Sequence, residues 1–135
     1  MAVMALTTQY TAINAVDESA NIKSSTLVVD VAQLDTTDFA SAGWVEYIGG
    51  LKSGTLSIEF QDDVAAAAID TKLWALLGTV TTFEVRLTSA AVGASNPKWT
   101  GSILISQHSA GGAVGDLAMK SLSFPTSGAV TRAVA

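Results

Sequence analysis

The chain contains no cysteine and a single histidine, His108. The first absence excludes a disulfide framework, a thiolate metal site and a thiol nucleophile. The second excludes a metal site or a relay built on several imidazoles. Charge is scarce: only 14% of residues are charged, with seven bases against twelve acids and a net charge of −5. No basic cluster occurs, so the electrostatic footprint for gripping nucleic acid is missing. The opening MAVMALTTQY lacks a basic n-region and a sufficient apolar run, so no signal peptide is expected. No segment reaches membrane-spanning length, because the alanine-rich stretch near Val64 is bounded by acids and interrupted by Asp70 and Lys72.

Apolar residues are abundant, at 49% of 135 residues. A chain of 13.8 kDa reads most simply as one domain spanning 1–135. Size scaling gives it about 13,000 Å² of surface to bury, enough for a core without metals or disulfides. Low charge with many apolar residues also fits a surface covered in an assembly, although monomers expose apolar atoms too.

Period-two alternation dominates the chain. Residues 22–31 place Leu27, Val29 and Val31 on one face and Thr26, Val28 and Asp30 on the other. Residues 55–60 place Leu56, Ile58 and Phe60 opposite Thr55, Ser57 and Glu59. Residues 82–88 turn Phe83, Val85 and Leu87 inward, and residues 99–105 do the same with Trp99, Gly101, Ile103 and Ile105. Weaker strands are expected over 13–17, 116–124 and 129–134, with turns at 17–21, 109–115 and 125–128. One amphipathic helix is expected over about residues 63–77. Asp62 or Asp63 would cap it, Ala65, Ile69, Leu73, Leu76 and Leu77 would form its stripe, and Gly78 would end it. The fold class is therefore mainly β: an antiparallel β-sandwich or barrel with one flanking α-helix.

One stretch does not alternate. Residues 32–54 carry Asp35, Asp38, Phe39, Trp44, Tyr47, Ile48 and Leu51, with glycines at 49, 50 and 54. An excursion of this length is either disordered or functional, and its aromatics argue against disorder. It reads as an arm that packs onto another copy of the chain, with Trp44 as its interface anchor.

Chemistry is thin. His108 beside Gln107 reads as a solvated loop residue, Asp62 and Asp63 as helix caps, and Asp35 and Asp38 as turn formers. Trp74 and Trp99 read as packing residues. No calcium-loop spacing, dinucleotide fingerprint or nucleophile–base pair occurs. No metal, no cofactor and no catalytic residue is expected, and the chain is not read as an enzyme.

The segment LDTTDFASAGWVEYIGGLKSGTLSIEF, the acid-led alanine-rich helix and the closing SGAVTR resemble the tail tube (major tail) proteins of long-tailed bacteriophages. The resemblance implies a β-sandwich whose copies form hexameric rings. Strands of the ring combine into an inner barrel, rings stack into a tube that delivers DNA, and the arm reaches the neighbouring ring. Implied partners are the chain itself and the tape-measure and tail-end proteins, with DNA passing through the lumen unbound. The place is the virion tail, assembled in the host cytoplasm. The extra immunoglobulin-like domain that some relatives carry is not expected within these 135 residues. A conduit for DNA should not bind phosphate, so Asp30, Glu59 and Glu84, on polar strand faces, are lumen candidates. Each of them would equally suit the solvated face of a monomer. The alternatives are a capsid decoration or tail-completion protein, and a small-ligand-binding β-barrel.

Overall fold

The computed structural model describes residues 3–63 and 68–135. Among these residues eight strands run in chain order: β1 (Tyr10–Ile13), β2 (Val16–Asp17), β3 (Ile22–Asp35), β4 (Tyr47–Gln61), β5 (Val80–Arg86), β6 (Lys98–Leu104), β7 (Met119–Pro125) and β8 (Thr131–Ala133). A helix, α1 (Ile69–Leu76), sits between β4 and β5. One sheet orders its strands β2-β1-β5-β6-β8 and the other β3-β4-β7. Neighbouring strands pair antiparallel throughout. The two sheets pack as a sandwich and do not close into a barrel.

The alternation explains the core. Leu56, Ile58 and Phe60 of β4 and Leu122 and Phe124 of β7 face Ile13, Phe83, Val85 and Ile103 of the opposite sheet. Ile69 and Leu73 of α1 complete the cluster and are fully buried. The alternate residues of the same strands stay exposed, as period two requires.

Two expectations are corrected. The segment 32–54 is not an irregular excursion, because β3 continues to Asp35 and β4 begins at Tyr47, leaving only 36–46 as a loop. Alternation fails there because neither face of this ribbon packs on a core, so nothing imposes a two-residue pattern. The helix is also shorter than expected. Residues 64–67, including Ala65, lie outside the described residues, and α1 starts after Ala68, which makes no side-chain cap. Gly78 does follow its end at φ +84°, as a left-handed terminator should.

Asp62 has a different task. Lys120 projects from β7 on the core face, alongside Leu122 and Phe124, and is 0% exposed. Its ammonium donates to Ser109 O and pairs with Asp70 at 3.0 Å and Asp62 at 3.2 Å. Burial alone would lower the Lys120 pKa, but the two carboxylates outweigh it and the group lies above the ordinary lysine value. Asp70 in turn is held below the usual carboxylate range by its bond to Lys120. His108 Nε2 stands 3.3 Å from Asp70, and its ring meets Trp74 edge-on at 5.2 Å. His108 is thus mostly buried and not a solvated loop residue, whereas Trp74 remains 65% exposed. This knot ties β4, α1, β7 and the chain after β6 together. A second ion pair, Lys72 to Glu18 at 2.9 Å, ties α1 to the end of the β1–β2 hairpin.

Candidate functional site: an arm, an open edge and a hydroxyl face

The last core pair of the β3–β4 hairpin is Leu27 with Leu56. The third strand, β7, pairs with β4 only over residues 55–61. Beyond that point the hairpin runs on as a two-stranded ribbon through Val29–Gly54, Asp30–Ser53 and Val31–Lys52 to Asp35–Tyr47. Six or seven further residues at about 3.3 Å each carry it roughly 20 Å past the body. A register shift between Val31 and Gln33 marks a bulge, which increases the local twist.

Gly54 marks the root of the arm. A Cβ there would stand 3.0 Å from Thr126 Oγ1 and 3.2 Å from Val28 O, so only glycine lets the segment after β7 clasp the hairpin. Thr126 N donates to Gly54 O at 3.0 Å from that position.

The tip is held by its own polar groups. Asp38 Oδ1 accepts from Ala40 N, and Ser41 Oγ accepts from Asp38 N, a reciprocal cap on the short turn Phe39–Ser41. Asp35 Oδ1 accepts from Thr37 N, and the Thr37 side chain and backbone hold the Asp35 carboxyl below its usual range. Glu46 N donates to Thr37 Oγ1 at 2.8 Å, closing the loop from its other side. Asp35 and Asp38 are therefore the turn formers the sequence implied. On this frame Phe39 is fully exposed, Leu51 is 87% exposed and Trp44 is 78% exposed. Tyr47 and Ile48 lie more than half exposed beside them. All seven arm residues singled out in the sequence thus gather on one projecting element, as two braces and five uncovered apolar side chains.

The chain exposes 8495 Å². A compact chain of its mass exposes about 6,600 Å². The excess is comparable to what a standard protein interface buries.

Strand edges differ sharply. β2 and β8 have only two and three residues. β7 is flanked by the chain after β6, where Gln107 Oε1 accepts from Ser123 N and Ser109 O accepts from Lys120, and Ile103 of β6 bridges to Thr126 just past the end of β7. β3, with 14 residues, pairs with β4 alone. Among the described residues its other edge receives Gln9 Nε2 at Ser25 O. Beyond Ser25 no described strand pairs with it, and the long open ladder is the arrangement that invites a strand from another chain.

The outer face of the three-stranded sheet is a field of hydroxyls. Cross-strand pairs Ser24–Glu59, Thr26–Ser57, Val28–Thr55 and Asp30–Ser53 lie on it, with Ser121 and Ser123 of β7 beside them. Ser57 and Ser123 hydrogen bond at 3.1 Å. No lysine or arginine occupies these pairs, and Lys23, exposed at the bulge before Ser24, stands at the end of the face that carries Glu59. Glu84 is elsewhere. It projects from β5 on the outer face of the other sheet, paired with Arg86 at 2.8 Å and Lys98 at 4.0 Å. The structure therefore puts two of the three acidic residues on one face, six residues apart along the ribbon, and the third on the far side of the sandwich, beside bases that offset its charge. Strand alternation separates inward from outward but does not say which sheet a strand joins.

No cluster of three or more potential metal ligands occurs among the described residues. No described helix is long and apolar enough to cross a membrane.

No family model matches the sequence, and no curated protein matches it. Solved structures do. A chain in the virion of a native gene transfer agent particle superposes with a TM-score of 0.68, over 84% of this chain and 85% of its own, at 19% identity. This chain shares its fold with a virion protein. A chain in the tail of an empty gene transfer agent particle, computed with helical refinement and C6 symmetry, gives a TM-score of 0.65 at 18% identity. That match covers 82% of this chain and 81% of the other. The likeness spans nearly the whole sandwich while four residues in five differ, so it is a likeness of fold.

Proposed function

We propose that this chain is a tail-tube subunit, a structural protein of a phage-type virion that polymerises as stacked rings around a lumen for DNA. The observation that carries the reading is the ordered arm, which holds Phe39, Trp44 and Leu51 in solvent on a braced frame. Exposure of this kind on fixed backbone is a surface awaiting cover. The open edge of β3 supports ring formation, since an adjacent copy completes its ladder. The fold likeness to a C6-symmetric tail chain supports six copies per ring. Six copies at −5 carry a formal −30. The hydroxyl face with Asp30 and Glu59 is the lumen wall in this reading, and Glu84 turns toward the outside of the tube. Such a wall carries Asp30 and Glu59 with Lys23 at one end, so it gives phosphate little to hold and DNA slides past it.

The remaining partners are the tape-measure and tail-end proteins that fill and close such a tube. The working place is the virion tail, assembled in the host cytoplasm. The role is structural, without catalysis. Among the described residues the sheets do not close into a barrel, so the tube reading is preferred to a binding barrel. A capsid decoration or tail-completion protein would assemble to a fixed stoichiometry instead. Electron microscopy of the purified chain decides between these readings. Rings or hollow tubes are expected, and a protein that stays monomeric or forms only closed small oligomers at every concentration overturns the proposal.

A further inference from the structure

The arm needs a receiving surface, and the chain carries one at its opposite end. The arm leaves the three-stranded sheet past Thr55, whereas α1 attaches where β4 ends and β7 begins, through Asp70 to Asp62 and Lys120. The β1–β2 turn lies at that same end, bound to α1 by Glu18 and Lys72. Between turn and helix runs a groove of about 210 Å³ lined by Ile13, Val16, Ile69, Lys72, Leu73 and Leu76. It is smaller than a site for a drug-sized ligand and suits a single inserted side chain. Around this end Trp74, Val80 and Leu77 are exposed as well. One chain thus has an apolar projection at one end and an apolar depression at the other.

Such a pair is heterologous: it joins head to tail and repeats without closing on itself. We propose that the groove between α1 and the β1–β2 turn is the socket for the arm tip of the next copy along the tube, with Trp44 as the inserted side chain. The proposal rests on the tube reading and adds the receiving surface. The occupant is argued from three features. The tip is braced before it binds, which reduces the ordering cost of docking. Its three aromatics each offer about 150–250 Å², most of one side of a standard interface. The projection and the depression stand at opposite ends of one chain, so the same contact can repeat from copy to copy.

The absence of cysteine makes the test specific. Val45→Cys, next to Trp44, and Ala75→Cys, on the groove wall, are placed on one chain and oxidised under assembly conditions. A ladder of covalent multimers on a denaturing gel is expected, because each copy contributes both a tip and a socket. Either single variant alone should give no ladder. Ala75→Arg, which preserves helix propensity, should raise the concentration needed for stacking at least tenfold with the melting temperature unchanged. Tubes that form while the double variant stays monomeric on the gel, or that tolerate Ala75→Arg, overturn the socket and leave the tube reading standing. Absence of rings and tubes under all conditions removes both.

Discussion

Replacing Trp44 with alanine separates assembly from folding. Trp44 is 78% exposed, so about a fifth of its surface is covered within one copy. For a residue offering about 200 Å², that is roughly 40 Å², or about 1 kcal/mol at 25 cal/mol/Å². The uncovered remainder is roughly 150 Å². Fully buried against a neighbour, it contributes up to about 4 kcal/mol, and truncation of buried interface tryptophans commonly costs 2 kcal/mol or more. A loss of about 2–4 kcal/mol raises the concentration for assembly by about 30-fold to nearly 1,000-fold. The same change lowers the melting temperature of the unassembled chain by only about 3–5 °C. Sedimentation across a concentration series gives the first quantity and a thermal melt of the dissociated chain the second. Unchanged assembly, or a melting loss as large as the assembly loss, would refute the assignment of Trp44 to an interface.

Three other perturbations have defined outcomes. Lys120→Met leaves Asp62 and Asp70 without their shared cation, and breaking a buried ion pair from one side costs about 3–5 kcal/mol, so denaturant titration should show a loss of that order. Stability should also depend on pH at both extremes. Asp70 lies below its ordinary 3.8, so its contribution is complete above that value and is lost as pH falls through the lowered one. Lys120 lies above 10.5, so its contribution is complete below 10.5 and is lost as pH rises past it. The melting temperature should therefore be level through neutral pH and drop in strong acid and strong base. Asp30→Lys with Glu59→Lys should give tubes that bind DNA at low salt and release it as salt rises, whereas the unaltered tubes do not shift DNA on a gel.

Much of the sandwich was legible because burial writes a period of two into each strand. Leu56, Ile58 and Phe60 announce their face, as do Phe83 and Val85, and Gly78 announces the end of the helix. The arm was legible as a unit from its aromatics and length, but not as a hairpin, since its residues answer to no core within the chain. The Lys120 knot was missed although a signal was present: Lys120 falls on the same alternation as Leu122 and Phe124 and so had to point inward. Finding its partners required the sheet order, because Asp62, Asp70 and His108 are brought to it by three separate connections. For the same reason Asp30 and Glu59 could not be distinguished from Glu84. All three alternate outward, and only the assignment of strands to sheets separates them.

The central claim is that neighbouring copies complete the open edge of β3. Amide hydrogen exchange, compared between dissociated chain and assembled tubes, reads that edge directly. The amides of β3 beyond Ser25 that point away from β4 should exchange rapidly in the free chain and become strongly protected in the tube. Rapid exchange at those amides in both states would mean that no strand joins them, and the ring built on that edge would have to be abandoned.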